Sequence, residues 1–342
     1  MKKNNFKKIV LYNFIFIFLI LILFEFSLKV FTIKNVHFTG RILEYTNYNL
    51  EILTPNKVSL HQYNKYKASY KTGDFYNRSS SIDNVTSNRK VLILGDSWTF
   101  GWLLNEEFTI NYELSKKYPE YHFINASTPG HGLSSNLLFL KMFCEIINPE
   151  KIILILNYPS IERALKSGLF KLKNGNLVQG NKSVNPLKKK LSNSYTYNLL
   201  INNLRTLQLI RYIYYVKFPK MNNRFNFSKN SDVKDEILII DLMIKKIVKE
   251  VKKCNSNIVF IYNGWYDLND KNNFLIKTIE YLNKTKVFKE NDLLLHDASK
   301  DLKIISSNMN KYQISTNDDK HPNKEGARIK NKAIIKILEK YF

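Results

Sequence analysis

Cysteine is scarce in this chain, with Cys144 and Cys254 the only two among 342 residues. They do not stand in a metal-ligand spacing. Cys144 lies in an apolar helical stretch and Cys254 closes another, so they read either as two small buried residues or as one disulfide in an oxidising compartment. His37, His61, His122 and His296 form no ligand spacing either, and no metal or cofactor is expected. Walker and dinucleotide-binding signatures are absent, which removes the common phosphate cradles. So are zinc-finger spacings, RNP-like motifs, internal repeats and low-complexity tracts. Acidic residues are few: 29 Asp and Glu against 53 Lys and Arg leave a formal net charge of +24. A balance that basic admits nucleic acid, anionic lipid or an acidic polymer as partner. The excess is mostly lysine scattered among many Asn and Ile residues, so it reads as a compositional bias, and nucleic acid is not expected. The densest short run is Lys188-Lys189-Lys190.

What is present is a chain with 44% hydrophobic and 13% aromatic residues, long enough for one large or two small domains with a substantial core. Lys2, Lys3, Lys7 and Lys8 precede an apolar run over residues 9–31. As a helix that run spans about 34 Å, enough for a bilayer core. Glu25 and Lys29 are four apart and can pair on one face near the outer interface. No small-x-small cleavage site follows, which disfavours a removed signal peptide. Apolar residues on every face disfavour a buried core helix. The leading lysines favour a cytoplasmic tail over 1–8 and a single-pass inner-membrane helix over 9–31, with the rest periplasmic.

Residues 32–88 are polar, Asn- and Tyr-rich, and read as an irregular stalk. From residue 89 short apolar runs alternate with helical patterns. Strands are expected over 91–95, 122–126, 151–156 and 257–262, with a fifth near 293–296. Helices are expected over 105–118, 134–147, 236–253 and 324–341. This alternation implies an α/β fold with a parallel sheet covered on both faces. Residues 164–235 interrupt the rhythm as an insertion. It holds a hairpin with an Asn174-Gly175 turn and a helix over 197–216, and is read as a lid or polymer-binding cap.

Ligands of open parallel sheets bind beyond the carboxyl ends of the strands. At such an end stands Gly95-Asp96-Ser97-Trp98-Thr99-Phe100-Gly101. Ser97 is expected at the tip of a tight turn, its N–H near a helix N-terminus where negative charge is stabilised. A serine needs a positioned base. Asp318 and His321, three apart and ahead of Pro322 and the closing helix, supply a carboxylate and an imidazole. The Gly-x-Ser-x-Gly elbow is absent, because Thr99 stands two residues after Ser97. Trp98 is expected beneath the turn or lining the pocket. His131 is a candidate substrate contact. Trp265, after the fourth strand, is either a sugar-stacking platform or a hydrophobic anchor.

The Gly-Asp-Ser box and the Asp-x-x-His box with its following Pro-Asn and Gly resemble the first and last blocks of the SGNH (GDSL-like) hydrolases, over residues 89–342. The resemblance extends to bacterial envelope members that carry a membrane helix and a stalk. It implies a three-layer α/β/α sandwich with five parallel strands, and ester hydrolysis or acyl transfer. Ser97 would be the nucleophile, His321 the base and Asp318 its orienting partner. The N–H of Ser97 would contribute to the oxyanion hole. The middle blocks depart from the family. Ser127 stands at the position of the second-block Gly and still offers an N–H. Asn157 and Pro159 stand where the third block has Gly and Asn, so Asn157 reaches the hole only if the backbone shifts. The expected substrate is an acyl, most simply acetyl, ester of an envelope glycan. An O-acyltransferase, an inactive polysaccharide-binding module and a lipid-directed esterase are the alternatives.

Overall fold

The computed structural model describes residues 3–31, 33–217, 233–265, 282–283, 287–288, 293–306, 308–315 and 320–342. The chain opens with helix α1 (Lys3–Val30). Within it Lys7–Val30 has a mean hydropathy of 2.6, long and apolar enough to cross a membrane. Residues 7–24 are exposed on every face. As expected from their spacing, Lys29 and Glu25 pair at 3.4 Å.

The segment expected as an irregular stalk is folded. It carries β1 (His37–Thr39), β2 (Leu43–Tyr45), β3 (Glu51–Leu53), β4 (Val58–Tyr63) and β5 (Tyr66–Lys71). β1, β4 and β5 form an antiparallel sheet, and β2 pairs with β3. Three of these strands have three residues, too few to display an alternating pattern. The asparagines that look like loop are the turns between strands: Asn49, Asn56 and Asn64 all adopt positive φ, which Asn tolerates better than most residues. Tyr70 and Ala68 then pack on Phe100 of the main domain.

The rest follows in chain order: β6 (Lys90–Leu94), α2 (Ser97–Phe100), α3 (Ile110–Lys117), β7 (His122–Asn125), α4 (Leu133–Ile147), β8 (Lys151–Leu156) and α5 (Tyr158–Lys166). Next come β9 (Phe170–Lys173), β10 (Asn176–Gln179), α6 (Pro186–Ser192), α7 (Tyr195–Asn203), α8 (Arg205–Lys217) and α9 (Val233–Lys253). The chain closes with β11 (Asn257–Tyr262), β12 (Leu295–Asp297), α10 (Ser299–Ser306), α11 (Met309–Tyr312) and α12 (Lys324–Leu338). The central sheet has the order β7-β6-β8-β11-β12, all parallel. Alternate residues feed two cores. Leu92, Leu94, Ile152, Leu154 and Phe260 face α4 and α9, where Ile240, Met243, Ile244 and Ile247 recur at helical spacing. Val91, Ile93, Ile153, Ile155 and Ile261 face α3, α10 and α12. The fold is the expected three-layer α/β/α sandwich, with each sheet face covered by helices.

The insertion carries the expected hairpin, its turn formed by Asn174 and Gly175 at positive φ. The helix expected over 197–216 is broken at Leu204, which is extended. The break coincides with a contact from α1. The carboxylate of Glu25 accepts from the N–H groups of Arg205 and Thr206 at 2.8 and 2.9 Å and so caps a new helix start. The insertion lies against β1 and β2: Asn202 accepts from the Arg41 N–H at 2.5 Å and Asn193 from the Tyr45 N–H at 2.8 Å.

Cys144 and Cys254 are joined, with sulfurs 2.13 Å apart and a sequence separation of 110, which closes the alternative the sequence leaves open. The bond ties α4 to the end of α9 on one sheet face. A cross-link over so long a loop restricts the unfolded chain most. Replacing both cysteines by serine is expected to lower the unfolding free energy by about 2–4 kcal/mol in urea titrations. Reductant should produce the same loss in the wild type and none in the double variant.

Burial holds His61, His122 and His131 far below the ordinary imidazole range, to about 3, 4 and 4. The folded state thus binds fewer protons than the unfolded chain between those values and about 6.5, so stability is lost as pH falls through that window. Asp83, raised to about 6 by burial, acts in the opposite sense. With three groups against one, the melting temperature should fall between about pH 6.5 and pH 4. A constant melting temperature over that range would contradict this assignment.

Candidate active site

In this strand order the connections leaving β6 and β8 diverge to opposite sides, which opens a crevice beyond their carboxyl ends. Gly95-Asp96-Ser97 follows β6 and Asn157 follows β8, so both reach that crevice. Gly95 is needed for close packing: a Cβ there would lie 2.3 Å from the hydroxyl of Thr99. The short helix α2 opens at Ser97 and is closed by Gly101 at φ 83°, in the left-handed region. Ser97 has no acceptor for its N–H within the helix it begins.

The last part of the chain brings His321 to Ser97. The Nε2 of His321 lies 2.7 Å from the Oγ of Ser97, across 224 residues of sequence. Several contacts set that loop. The His321 carbonyl accepts from the Ile314 N–H at 2.8 Å. Asn323 caps α12 by accepting from the N–H groups of Glu325 and Gly326 at 3.0 and 3.1 Å. The imidazole stacks on Trp98, with ring centroids 4.8 Å apart, so Trp98 lies beneath the site as expected. Asp318 lies outside the described residues.

The residue next to the serine carries the electrostatics. Asp96 is fully buried. Its carboxylate caps α2 through the Trp98 N–H at 3.0 Å. It also accepts from Asn157 Nδ2 at 3.1 and 3.0 Å, from the Ser160 hydroxyl at 3.1 Å and from Arg163 Nη1 at 3.0 Å. Asn157 is thereby turned toward Asp96, while its own Oδ1 caps α5 through the Ser160 N–H at 3.0 Å. The N–H of Ser127 donates to Asn125 Oδ1 at 3.2 Å. Of the three expected oxyanion donors, Ser127 and Asn157 are therefore engaged inside the protein.

Two buried cations sit at the other end of α2. Arg78, from the lead-in segment, donates to the carbonyls of Phe100, Gly101 and Leu104 at 2.8, 2.6 and 2.5 Å. Lys330 of α12 donates to the Trp98 carbonyl at 2.5 Å. Positive charge at a helix C-terminus is favourable, and these groups hold the turn that carries Ser97 from below. Burial lowers Arg78 to about 10 and Lys330 to about 8.

Neither weaker site candidate lies open to substrate. The Nε2 of His131 is 2.6 Å from the Glu51 carbonyl, and the ring is buried against the lead-in segment. Trp265 is fully buried, and its Nε1 donates to the Lys320 carbonyl at 3.2 Å. A buried ring cannot stack on a sugar, so Trp265 is the hydrophobic anchor, and it supports the histidine loop. The sequence reading missed Ser160, Arg163, Arg78, Lys330 and the role of Asp96. The one signal for Arg163 was its place six residues after Asn157 on a helix leaving the crevice.

Replacing Arg163 by Met leaves a buried carboxylate with one charge fewer to balance it. The expected loss is about 3–5 kcal/mol of stability, read by chemical denaturation. Adding Asp96→Asn to Arg163→Met should recover part of that loss, because the uncompensated charge is then gone. No recovery in the double variant would show that the ion pair is not the source.

No family model and no curated protein matches the sequence. Solved structures do match. A lipolytic protein of the G-D-S-L family from Desulfitobacterium hafniense is 13% identical at a TM-score of 0.41, over 73% of this chain and 100% of that one. An acetyl xylan esterase variant from Geobacillus stearothermophilus is 14% identical at 0.42, over 74% and 95%. A psychrotrophic esterase from Pseudoalteromonas is 15% identical at 0.39, over 74% and 98%. At these scores the reading of the site rests on its own side chains.

Proposed function

We propose that this chain is a membrane-anchored serine ester hydrolase acting outside the inner membrane on an acyl ester, most simply an acetyl ester, of an envelope glycan. The observation that carries the proposal is the 2.7 Å approach of His321 Nε2 to Ser97 Oγ at the switch point of the sheet. A nucleophile and base within hydrogen-bond reach at that place is the arrangement covalent acyl transfer requires.

In this reading His321 takes the Ser97 proton as Oγ bonds to the acyl carbon. The tetrahedral oxyanion is held first by the Ser97 N–H at the start of α2. The bond to the leaving alkoxide breaks as His321 returns the proton, and an acyl-enzyme remains. Water, activated by His321, then releases the acid. A sugar hydroxyl in place of water would make the same cycle an O-acyl transfer. Asp318 is assigned the role of orienting His321. Ser127 and Asn157 would join the oxyanion hole only by exchanging their present partners, Asn125 and Asp96. Each absent donor lowers turnover by about 10²–10³. The apolar helix α1 supports anchoring.

The engaged Ser127 and Asn157 donors favour a second reading, a polysaccharide-binding module without turnover. Release of p-nitrophenol from its acetate separates the two. The full chain in detergent is expected to hydrolyse it, with Ser97→Ala and His321→Ala each reducing kcat by about 10³ or more. Folded protein that neither turns over nor reacts with a fluorophosphonate would leave the binding module. Turnover untouched by Ser97→Ala would remove the serine mechanism.

A further inference from the structure

The apolar helix is not a free tether. Besides the two backbone donors of α8, the hydroxyl of Thr206 donates to Glu25 at 2.9 Å. Leu28 is buried in a cluster with Val36 and Phe38, against which Leu209 and Tyr212 of α8 pack. The Tyr212 hydroxyl closes the junction by donating to the Asn35 carbonyl at 2.6 Å. The corner between α7 and α8 is therefore fixed against α1 at the level of Glu25. Glu25 stands five residues before the end of the apolar stretch at Val30, about 8 Å inside it along the helix axis.

That corner exposes the wrong residues for water. Leu199 and Leu200 of α7 are 49% and 43% exposed, and Ile210 and Ile213 of α8 are 56% and 47% exposed. Thr206, Ile210 and Ile213 stand at i, i+4 and i+7, so they share one face of α8. Leu209 and Tyr212 pack on the Leu28 cluster, and the two isoleucines, each the next residue along, lie beside that contact on the exposed flank of α8. Lys217, exposed at the end of α8, continues the same face.

From this we infer that the α7–α8 corner is a second, interfacial contact with the bilayer, with Leu199, Leu200, Ile210 and Ile213 in the headgroup–acyl boundary. The inference rests on the reading of α1 as a membrane span. Lipid is the occupant because the corner is bonded to α1 through Glu25, inside the apolar stretch. Apolar side chains with a cation at the polar edge match that boundary. The contact would hold the sheet and its crevice at one height and tilt above the membrane, where α1 alone would leave them free to swivel.

The test uses the full chain in nanodiscs of mixed phosphatidylcholine and phosphatidylglycerol, with nitroxide-bearing lipid as quencher. The native cysteines are joined, so single labels can be placed through Ile17→Cys, Leu199→Cys and Val85→Cys. Val85 is 70% exposed beside Asn84, which donates to the Pro119 carbonyl near the start of β7, away from Ser97. The fluorophore at 199 is expected to lose its fluorescence as strongly as that at 17, while that at 85 keeps it. Quenching at 17 with none at 199 overturns the inference and leaves the membrane anchor standing. No quenching at 17 removes the span, and the inference with it.

Discussion

A buried carboxylate must find all its donors inside the protein, and Asp96 finds them on three separate pieces of chain. The N–H of Trp98 comes from the turn itself, Asn157 from the end of β8, and Ser160 with Arg163 from α5. Leaving any of these partners out would strand charge in a medium that cannot solvate it. The requirement therefore ties the turn after β6 to the turn and helix after β8, and it aims α2 so that Ser97 stands at the mouth of the crevice. It also explains why Asn157 serves Asp96 before it can serve a substrate.

The imidazole beside Ser97 is placed by different means. His321 is held by backbone contacts with the strand-like stretch before it, by the Asn323 cap of α12 and by stacking on Trp98, which has Trp265 tilted against it. Lys330, in the middle of α12, reaches back to the carbonyl of Trp98. One helix therefore positions both partners: its start sets the imidazole, and its interior pins the turn that carries the hydroxyl. Arg78 adds a third clamp from the lead-in segment. That is why this segment behaves as part of the domain and not as a spacer.

The same logic recurs at the apolar helix α1. Glu25 is an acidic residue in an apolar stretch, and it is satisfied by the start of α8 and by Lys29. The capping of α8 breaks one long helical pattern into two helices and docks them on α1. The lead-in strands and α6 to α8 thus form one lobe between α1 and the sheet domain, joined to that domain through Tyr70, Arg78 and His131.

Sequence alone determined the elements that local chemistry controls. The apolar runs of β6, β8 and β11, the amphipathic α9 and the Asn174-Gly175 turn were legible because their patterns depend on neighbours a few residues away. The pairing of Ser97 with His321 was legible only through two short boxes, each of which is an ordinary turn on its own. The three-residue strands of the lead-in carry too few positions to show a period, and their Asn turns look like loop. Which alternative held for Cys144 and Cys254, the burial of Trp265 beneath the histidine loop, and the claim of Asp96 on Asn157 were decided by tertiary structure. Those outcomes depend on which side chains meet across 55, 61 and 110 residues of sequence, and on a buried charge that must be balanced wherever the fold has placed it.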